Sequence, residues 1–387
     1  MITAFNGERL KMARVYRGLT VAELAEKSDC LRQTVSMYES GRTKPSDNAT
    51  VIRLANALNF PMKFFVESNI PVTTGSTYFR ALLTTNKKYR LEQTQKMEFL
   101  ALIYTFLQEY IDFPDLQLPN LSGYSPEDAA AKLREVWKLG KGPIDNLIHI
   151  IEQHGIIVTS FATSTDDIDA FSQMVNINDK EIYLIGYSNN KTSASRIHFD
   201  IAHELGHICL HEWSEDVESF DRKEFKVRED EANRFASAFL LPEESFRADA
   251  SRAPLKIPYY TELKRRWKVS IQAMSRRAYK LGLTSMDEYQ ITIRTLQRRG
   301  MRKDEPLDDT LRTASPALLK TAVSMLLEED VFTPKEFMDE LSYSYGLSLA
   351  ANEVEYLLDL PEGTLSVPNV VEFSSLQLKA RQKNTLN

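Results

Sequence analysis

The pattern of hydrophobic and polar positions divides the chain into a helical N-terminal part, a short β-rich part and a long helical remainder. Residues 8–66 contain several short helical periods, interrupted at Gly18, Gly41 and Pro45. This spacing is typical of a compact bundle of about five helices. We therefore predict a helical N-terminal domain over residues 1–67.

A linker and a buried helix are predicted over residues 68–125. The stretch Ile70–Ser76 contains Pro, Gly, Thr and Ser, which indicates a turn-rich linker. The segment Leu91–Phe113 is apolar on most faces and therefore predicts a largely buried helix.

The hydrophobic period changes after this helix. Residues 155–161, 171–177 and 181–187 are rich in β-branched and aromatic residues in rough alternation, and Asn178-Asp179-Lys180 suits a turn between the last two segments. This pattern predicts a small antiparallel sheet.

Helical patterns lie on both sides of the sheet, which makes the fold class α+β and mostly α. We place one domain at 126–300 and a helical C-terminal region, whose role the sequence does not reveal, at 301–387. The helical segments are 126–139, 143–154, 193–212, 224–241, 258–282, 286–300 and 309–360.

Composition adds a contrast between the two ends of the chain. Its 387 residues, 43% of them hydrophobic, are enough for two or three domains. The net charge of −6 argues against bulk binding to nucleic acid or anionic membranes, yet residues 1–66 contain ten basic and six acidic residues. The basic N-terminal domain is therefore the part suited to nucleic acid.

The sequence also predicts a cytoplasmic protein with no membrane partner. The N-terminus lacks a basic segment followed by an apolar one, and the longest mostly apolar run, Phe99–Leu107, is too short to span a bilayer. Cys30 and Cys209 lie in different predicted domains, so we expect no disulfide.

The motif His203-Glu204-Leu205-Gly206-His207 carries the clearest chemistry. Histidines at i and i+4 share one face of a helix and can bind one Zn²⁺ ion, while Glu204 reaches the same cleft. Gly206 inside a helix predicts the close approach of another backbone, such as the sheet or a bound peptide.

A hydrolytic zinc site needs a third protein ligand and leaves the fourth position to water. Glu229, Asp230 and Glu231 are the candidates on the following helix. We choose Glu229, because Asn233 lies four residues later on the same face and could orient a ligand histidine. Glu231 points about 200° away around the helix and is the alternative, otherwise a solvated or ion-paired surface carboxylate.

These residue types predict peptide hydrolysis, with Glu204 taking the proton of a zinc-activated water and passing it to the leaving amine. A substrate peptide could add as a strand along Glu181–Tyr187. We leave His198 and His211 outside the ligand set. The sequence does not decide which side chain donates a hydrogen bond to the oxyanion formed in the reaction. The candidates are Tyr183, Tyr187, His198 and His211.

The residues AHELGH, with Arg196 and Phe199 before them and EDEANRFASAFLLP after them, resemble the ImmA/IrrE family of zinc metallopeptidases. The resemblance extends from about Tyr78 to about Leu283. It implies that His203, His207 and Glu229 hold Zn²⁺, and that the fold is a minimal gluzincin-like domain whose edge strand precedes the active-site helix.

The N-terminal domain carries Gly-Leu-Thr-x-x-Glu-Leu-Ala from Gly18 and Gln-Thr-Val-Ser-x-Tyr-Glu-x-Gly-Arg from Gln33. This pattern resembles the helix-turn-helix domain of the lambda repressor and Cro type, often called XRE. Leu24, Ala25, Val35 and Tyr38 would pack its two short helices. The alternative is a helical bundle that binds protein.

The predicted DNA contacts lie at and just after the second of these helices. Its exposed start can reach base edges or phosphates, and the cations after it can reach the DNA backbone. Leu31 stands where a capping Ser or Thr is usual, so Asp29 or solvent must cap this helix. The predicted DNA-binding residues are Arg32, Gln33, Thr34, Ser36, Arg42 and Lys44.

Together these features predict a DNA-binding transcriptional regulator with a zinc-dependent endopeptidase domain that cleaves a regulatory protein. The expected partners are a double-stranded DNA operator and a protein such as a repressor or toxin, with a homodimer among the open oligomeric states. The alternative is a DNA-binding regulator or antitoxin-like protein whose metallopeptidase-like domain only senses a signal or binds protein.

Overall fold

A computed structural model describes residues 5–69, 72–79, 86–162, 169–190, 193–213 and 221–366. Within these ranges the fold is α+β and mostly helical, as the sequence predicts. The helices are α1 Gly7–Tyr16, α2 Val21–Lys27, α3 Arg32–Glu39, α4 Asn48–Leu58, α5 Lys87–Leu107, α6 Pro126–Val136, α7 Leu147–Gln153, α8 Ala194–Leu210, α9 Arg222–Leu240, α10 Glu243–Ala250, α11 Ile257–Trp267, α12 Ile271–Lys280, α13 Met286–Arg298, α14 Leu318–Glu328, α15 Pro334–Tyr345 and α16 Ala351–Leu357. The strands are β1 Val72–Phe79, β2 Ile157–Phe161, β3 Ala170–Ile177 and β4 Lys180–Ser188.

The N-terminal bundle consists of α1 to α4 and a short 3-10 helix, Met62–Val66. Local sequence sets its helix starts: Thr20 and Glu23 form a capping box at α2, and the Asp47 carboxylate accepts the Thr50 N–H at α4. The four residues predicted to pack α2 against α3 are buried: Leu24, Ala25, Val35 and Tyr38.

The sheet is mixed, in the strand order β1-β3-β4-β2. β3 and β4 form the predicted antiparallel hairpin, and Asn178 and Asp179 both have positive φ at its turn, as tight hairpin turns require. β2, however, runs parallel to β4, with Ile157 opposite Leu184. The antiparallel prediction is wrong for this pair, because β4 returns between β3 and β2 and so lies beside a strand of its own direction.

Strand β1 corrects the prediction of a turn-rich linker at Ile70–Ser76. Val72–Phe79 pairs antiparallel with β3, with Phe79 opposite Phe171, and the register is irregular between Thr74 and Thr77. The Pro and Gly residues that suggested a linker surround β-branched residues that suit an edge strand, and a sheet edge tolerates such irregularity.

From Leu184 onward, the strand order also contradicts the prediction that a substrate adds along Glu181–Tyr187. This segment belongs to β4, which pairs with β3 along its length and with β2 from Leu184 onward. A strand already bonded on both sides has no free backbone edge there. β1 and β2 are the outer strands.

Helix α5 connects the N-terminal bundle, the sheet and the C-terminal helices. The Phe99 ring stacks on Tyr16 of α1 at a centroid distance of 5.2 Å, and Phe106 meets Phe337 of α15 at 5.2 Å. In α16, Glu353 accepts a hydrogen bond from the Tyr16 hydroxyl at 3.0 Å. The helical C-terminal region thus packs against both the bundle and α5.

The two cysteines and the helices bear on the predictions about a disulfide and a membrane span. Cys30 and Cys209 are both free thiols, as expected from their positions. None of the helices in the described ranges combines the length and apolar character needed to cross a bilayer.

Candidate metal centre

Helix α8 presents its two histidines as the sequence predicts. Its apolar side chains Ile201, Leu205 and Ile208 are buried in the core. His203 and His207 lie one turn apart and are buried, and their Nε2 atoms are 3.1 Å apart. Two ring nitrogens at this distance can bind the same metal ion.

Glu229 of α9 completes the group. Its Oε2 lies 3.4 Å from His203 Nε2, and its Oε1 lies 3.3 Å from His207 Nε2. Ligand atoms on a tetrahedral ion with bonds of about 2.0–2.1 Å are separated by about 3.3–3.4 Å, so each Glu229 oxygen lies at a ligand-like distance from one histidine nitrogen. The structure thus brings together the carboxylate chosen from sequence and both histidines.

Gly206 explains how α9 approaches α8 closely enough. A Cβ atom on Gly206 would lie 3.1 Å from the Phe235 ring and 3.2 Å from the backbone of Ala232. The predicted close approach of a backbone is therefore confirmed, and the neighbour is α9 rather than the sheet or a peptide. Small residues at the helix crossing bring Glu229 to the histidines.

Electrostatics keep His207 and Glu229 in the forms that bind metal. Burial lowers the pKa of His207 to about 4, which leaves its ring neutral. Burial by itself raises the pKa of Glu229, but its interactions with His203 and His207 outweigh it and lower the pKa to about 2. Metal ligands must be neutral imidazoles and ionised carboxylates, so the group fits a cation.

Glu204 is buried next to these ligands but is not one of them. The Ser172 hydroxyl of β3 donates to Glu204 Oε2 at 2.6 Å. Sequence reasoning missed Ser172, because nothing along the chain links a strand serine to a helix glutamate 32 residues later. The hydrogen bond fixes the carboxylate beside the candidate metal site.

In the N-terminal bundle, α3 begins without a side-chain cap. Leu31 occupies the N-cap position and is 76% exposed, and Asp29 adopts a left-handed conformation with φ of 51°. Asp29 therefore does not cap α3, which leaves solvent as the cap among the two options the sequence offered. The uncapped N–H groups are free to meet a phosphate.

Two family models match parts of this chain. Residues 151–279 match the family model described as an IrrE N-terminal-like domain, and residues 7–62 match one described as a helix-turn-helix domain. The chain carries an IrrE-like metallopeptidase domain behind a helix-turn-helix DNA-binding domain. The resemblance stated from sequence is confirmed. A search among curated proteins found no match.

In the IrrE-like domain, a chain of polar contacts runs from His207 to the surface. His207 Nδ1 lies 2.9 Å from His211 Nδ1, and His211 Nε2 lies 3.2 Å from Glu231 Oε2. If His211 donates to Glu231, its Nδ1 accepts from His207, whose Nε2 lone pair is then directed to the metal site. Glu231 is thus a hydrogen-bonded carboxylate, and His211 lies outside the ligand group.

The side chain of Asn233 has a different hydrogen-bond partner from the ligand histidine predicted from sequence. Its amide donates to the backbone carbonyl of Glu229 at 2.6 Å, which supports the turn of α9 bearing the ligand carboxylate rather than a histidine ring. His198 Nε2 lies 2.9 Å from the Thr313 hydroxyl, a contact to the C-terminal region. The Tyr183 hydroxyl donates to Glu181 at 2.9 Å.

In the helix-turn-helix domain, most of the predicted DNA-binding side chains reach the surface. Thr34 is half-buried, and the other five are exposed: Arg32, Gln33, Ser36, Arg42 and Lys44. Arg14 of α1 binds the Glu39 carboxylate through two hydrogen bonds of 2.6 and 2.9 Å, which fixes the end of α3.

Proposed function

We propose that this protein is a DNA-binding transcriptional regulator whose IrrE-like domain is a zinc-dependent endopeptidase that cleaves a regulatory protein. The observation that supports it most is the clustering of the ligand atoms of His203, His207 and Glu229, next along α8 to the buried Glu204. Two histidines and one carboxylate with an open fourth position are the ligand set of zinc hydrolases.

In the proposed reaction, each residue has a distinct task. His203, His207 and Glu229 would hold Zn²⁺, which when bound activates water and polarises a peptide carbonyl. Glu204 takes a proton from the attacking water and delivers it to the leaving amine. Ser172 positions the Glu204 carboxylate through its 2.6 Å hydrogen bond.

In this proposal, the N-terminal domain binds the protein to DNA. Helix α3 would enter the major groove of a double-stranded operator, with Gln33 suited to adenine and Arg32 to guanine or phosphate. Arg42 and Lys44 would neutralise backbone phosphates without sequence preference. Thr34 and Ser36 complete the proposed contacts. The protein substrate would be a partner such as a repressor or toxin.

The test compares the wild-type protein with Glu204→Gln, which removes the proton carrier and keeps the side-chain size. We expect the variant to bind about one zinc per chain by mass spectrometry and to bind its upstream DNA normally in a mobility-shift assay. New protein N-termini that appear in cells with the wild type should vanish with Glu204→Gln.

Glu328→Gln, an exposed position on α14, is the matched control and should behave as the wild type. Zinc binding with identical N-termini in all strains would contradict the peptidase and favour a sensing or protein-binding domain. Absence of both zinc and DNA binding would overturn the whole proposal.

A further inference from the structure

A separate cavity of about 980 Å³ lies between α6, α9 and α12, away from the metal ligands. Helix α9 contributes Asp230, Arg234 and Ala238 to the cavity wall. These residues lie on a different face of α9 from Ala232 and Phe235, which pack against Gly206 of α8. Its volume lies within the range of small-molecule sites.

Arg277 of α12 lines this cavity and is only 6% exposed. Its Nε donates to the backbone carbonyl of Leu241 at 3.2 Å, which anchors the guanidinium. In the part of the chain that the structure describes, its Nη groups make no hydrogen bond or ion pair. A guanidinium keeps its charge even when buried, so its two remaining donor groups call for an acceptor.

Acidic residues around the cavity do not satisfy Arg277, because each has another partner. Glu127 binds Arg234 at 2.7 Å and Glu243 binds Arg247 at 2.8 Å, although both carboxylates stabilise the charge of Arg277 through space. The remaining acidic residues pair as Asp128 with Ser125, Glu135 with Lys132, Asp230 with Arg276 and Glu244 with Lys141.

Five further basic residues line the same cavity, and Lys138 and Lys280 are among them. Lys138 and Lys280 are exposed, and neither forms an ion pair with a residue in the described ranges. Among the described residues, the lining contains six basic and six acidic side chains, so the unpartnered Nη groups of Arg277, rather than net charge, favour an anion. Apolar wall is provided by Ala131, Ala238 and Leu281.

We propose that this cavity binds an organic anion, with a carboxylate or phosphate group held by Arg277 and an apolar body against Ala238 and Leu281. The planar fork of a guanidinium matches the two oxygens of either group, and burial strengthens such bonds. The ligand is small enough to be enclosed between α6, α9 and α12.

The experiment is isothermal titration of the full-length protein with four probes. Phenyl phosphate and benzoate supply the two anionic groups on one apolar body, inorganic phosphate lacks the body, and benzyl alcohol lacks the charge. We expect saturable binding of phenyl phosphate or benzoate, at least about 10-fold weaker binding of inorganic phosphate, and none of benzyl alcohol. The tighter of the two organic anions identifies the group.

Three variants complete the test. Arg277→Lys keeps the charge but loses the fork and should weaken binding at least about 10-fold, whereas Arg294→Lys, at an exposed position on α13, should not change it. Lys280→Ala is exposed and should fold, and it should weaken binding about 2- to 5-fold even if Arg277→Lys fails to fold.

Three results would overturn the proposal. They are no saturable binding of either organic anion, equal binding of inorganic phosphate, and unchanged affinity in folded Arg277→Lys. Unchanged affinity in Lys280→Ala also counts against it.

Discussion

The Nδ1 atoms of His207 and His211 lie 2.9 Å apart, and this contact links the candidate metal site to a carboxylate on the next helix. His211 in turn contacts Glu231 at 3.2 Å. A partner on the far nitrogen of a ligand histidine fixes its tautomer and ring orientation. The contact therefore connects metal affinity to two residues outside the ligand group.

Removal of the His211 ring should weaken metal binding. We expect His211→Ala to lower zinc affinity about 10- to 100-fold, because His207 loses the partner that directs its Nε2 lone pair. A competition titration with a chromophoric chelator measures the affinity. His149→Ala, an exposed histidine on α7, is the control and should leave zinc affinity unchanged. Equal affinities in both variants would refute the linkage.

A methyl group between α8 and α9 should also weaken metal binding. Gly206→Ala places a Cβ 3.1 Å from Phe235 and 3.2 Å from Ala232, so α9 must shift by a few tenths of an ångström and carry Glu229 with it. We expect several-fold lower zinc affinity by the same titration. Gly142→Ala, which has open space around it, should have no effect, and matching losses in both would count against the packing argument.

The buried carboxyl of Glu152 should make stability depend on pH. Burial raises its pKa to about 7, although the N–H groups of Leu318 and Ala317 at the start of α14 oppose the shift. A pKa above the unfolded value favours the folded state at low pH, and this contribution is lost as pH rises from about 4.5 to 7.

The matched variant for this position is Glu152→Gln, which can accept the same hydrogen bonds without ionising. Between pH 4.5 and 8, we expect the wild type to lose about 1–3 kcal/mol of unfolding free energy relative to Glu152→Gln. Urea denaturation at several pH values measures the difference. Parallel pH profiles for the two proteins would exclude the raised pKa.

The interface between the N-terminal bundle and the C-terminal region should depend on Glu353. Its carboxylate accepts from the Tyr16 hydroxyl at 3.0 Å and pairs with Arg17 at 2.8 Å. We expect Glu353→Ala to cost about 1–3 kcal/mol of unfolding free energy and to raise amide exchange in α1. Glu362→Ala, an exposed glutamate, should change neither quantity.

Measurements of DNA affinity should distinguish residues that contact bases from residues that contact phosphates. Gln33→Ala should cost about 1–3 kcal/mol on the operator and little on unrelated DNA, whereas Arg42→Ala should weaken both and reduce the salt slope by about one. Fluorescence anisotropy against salt concentration measures both effects. Identical behaviour of the two variants would contradict the assignment of Gln33 to base contact.

The sequence by itself determined the features that depend on local spacing. His203 and His207 share a helix face because a turn contains 3.6 residues, and Thr20 with Glu23 starts α2 because capping needs only neighbours. The choice of Glu229 also followed from its separation from Asn233, although the amide of Asn233 turned out to bind its own helix backbone.

Only the tertiary structure decided which distant segments meet. Strand order placed β4 between β3 and β2, and it placed β1 at an edge where the sequence suggested a linker. The partners of Glu204 and His211, and the cavity around Arg277, likewise join separate elements. Hydrophobic burial drives these elements together without direction, so their neighbours follow from packing of the whole chain rather than from any local pattern.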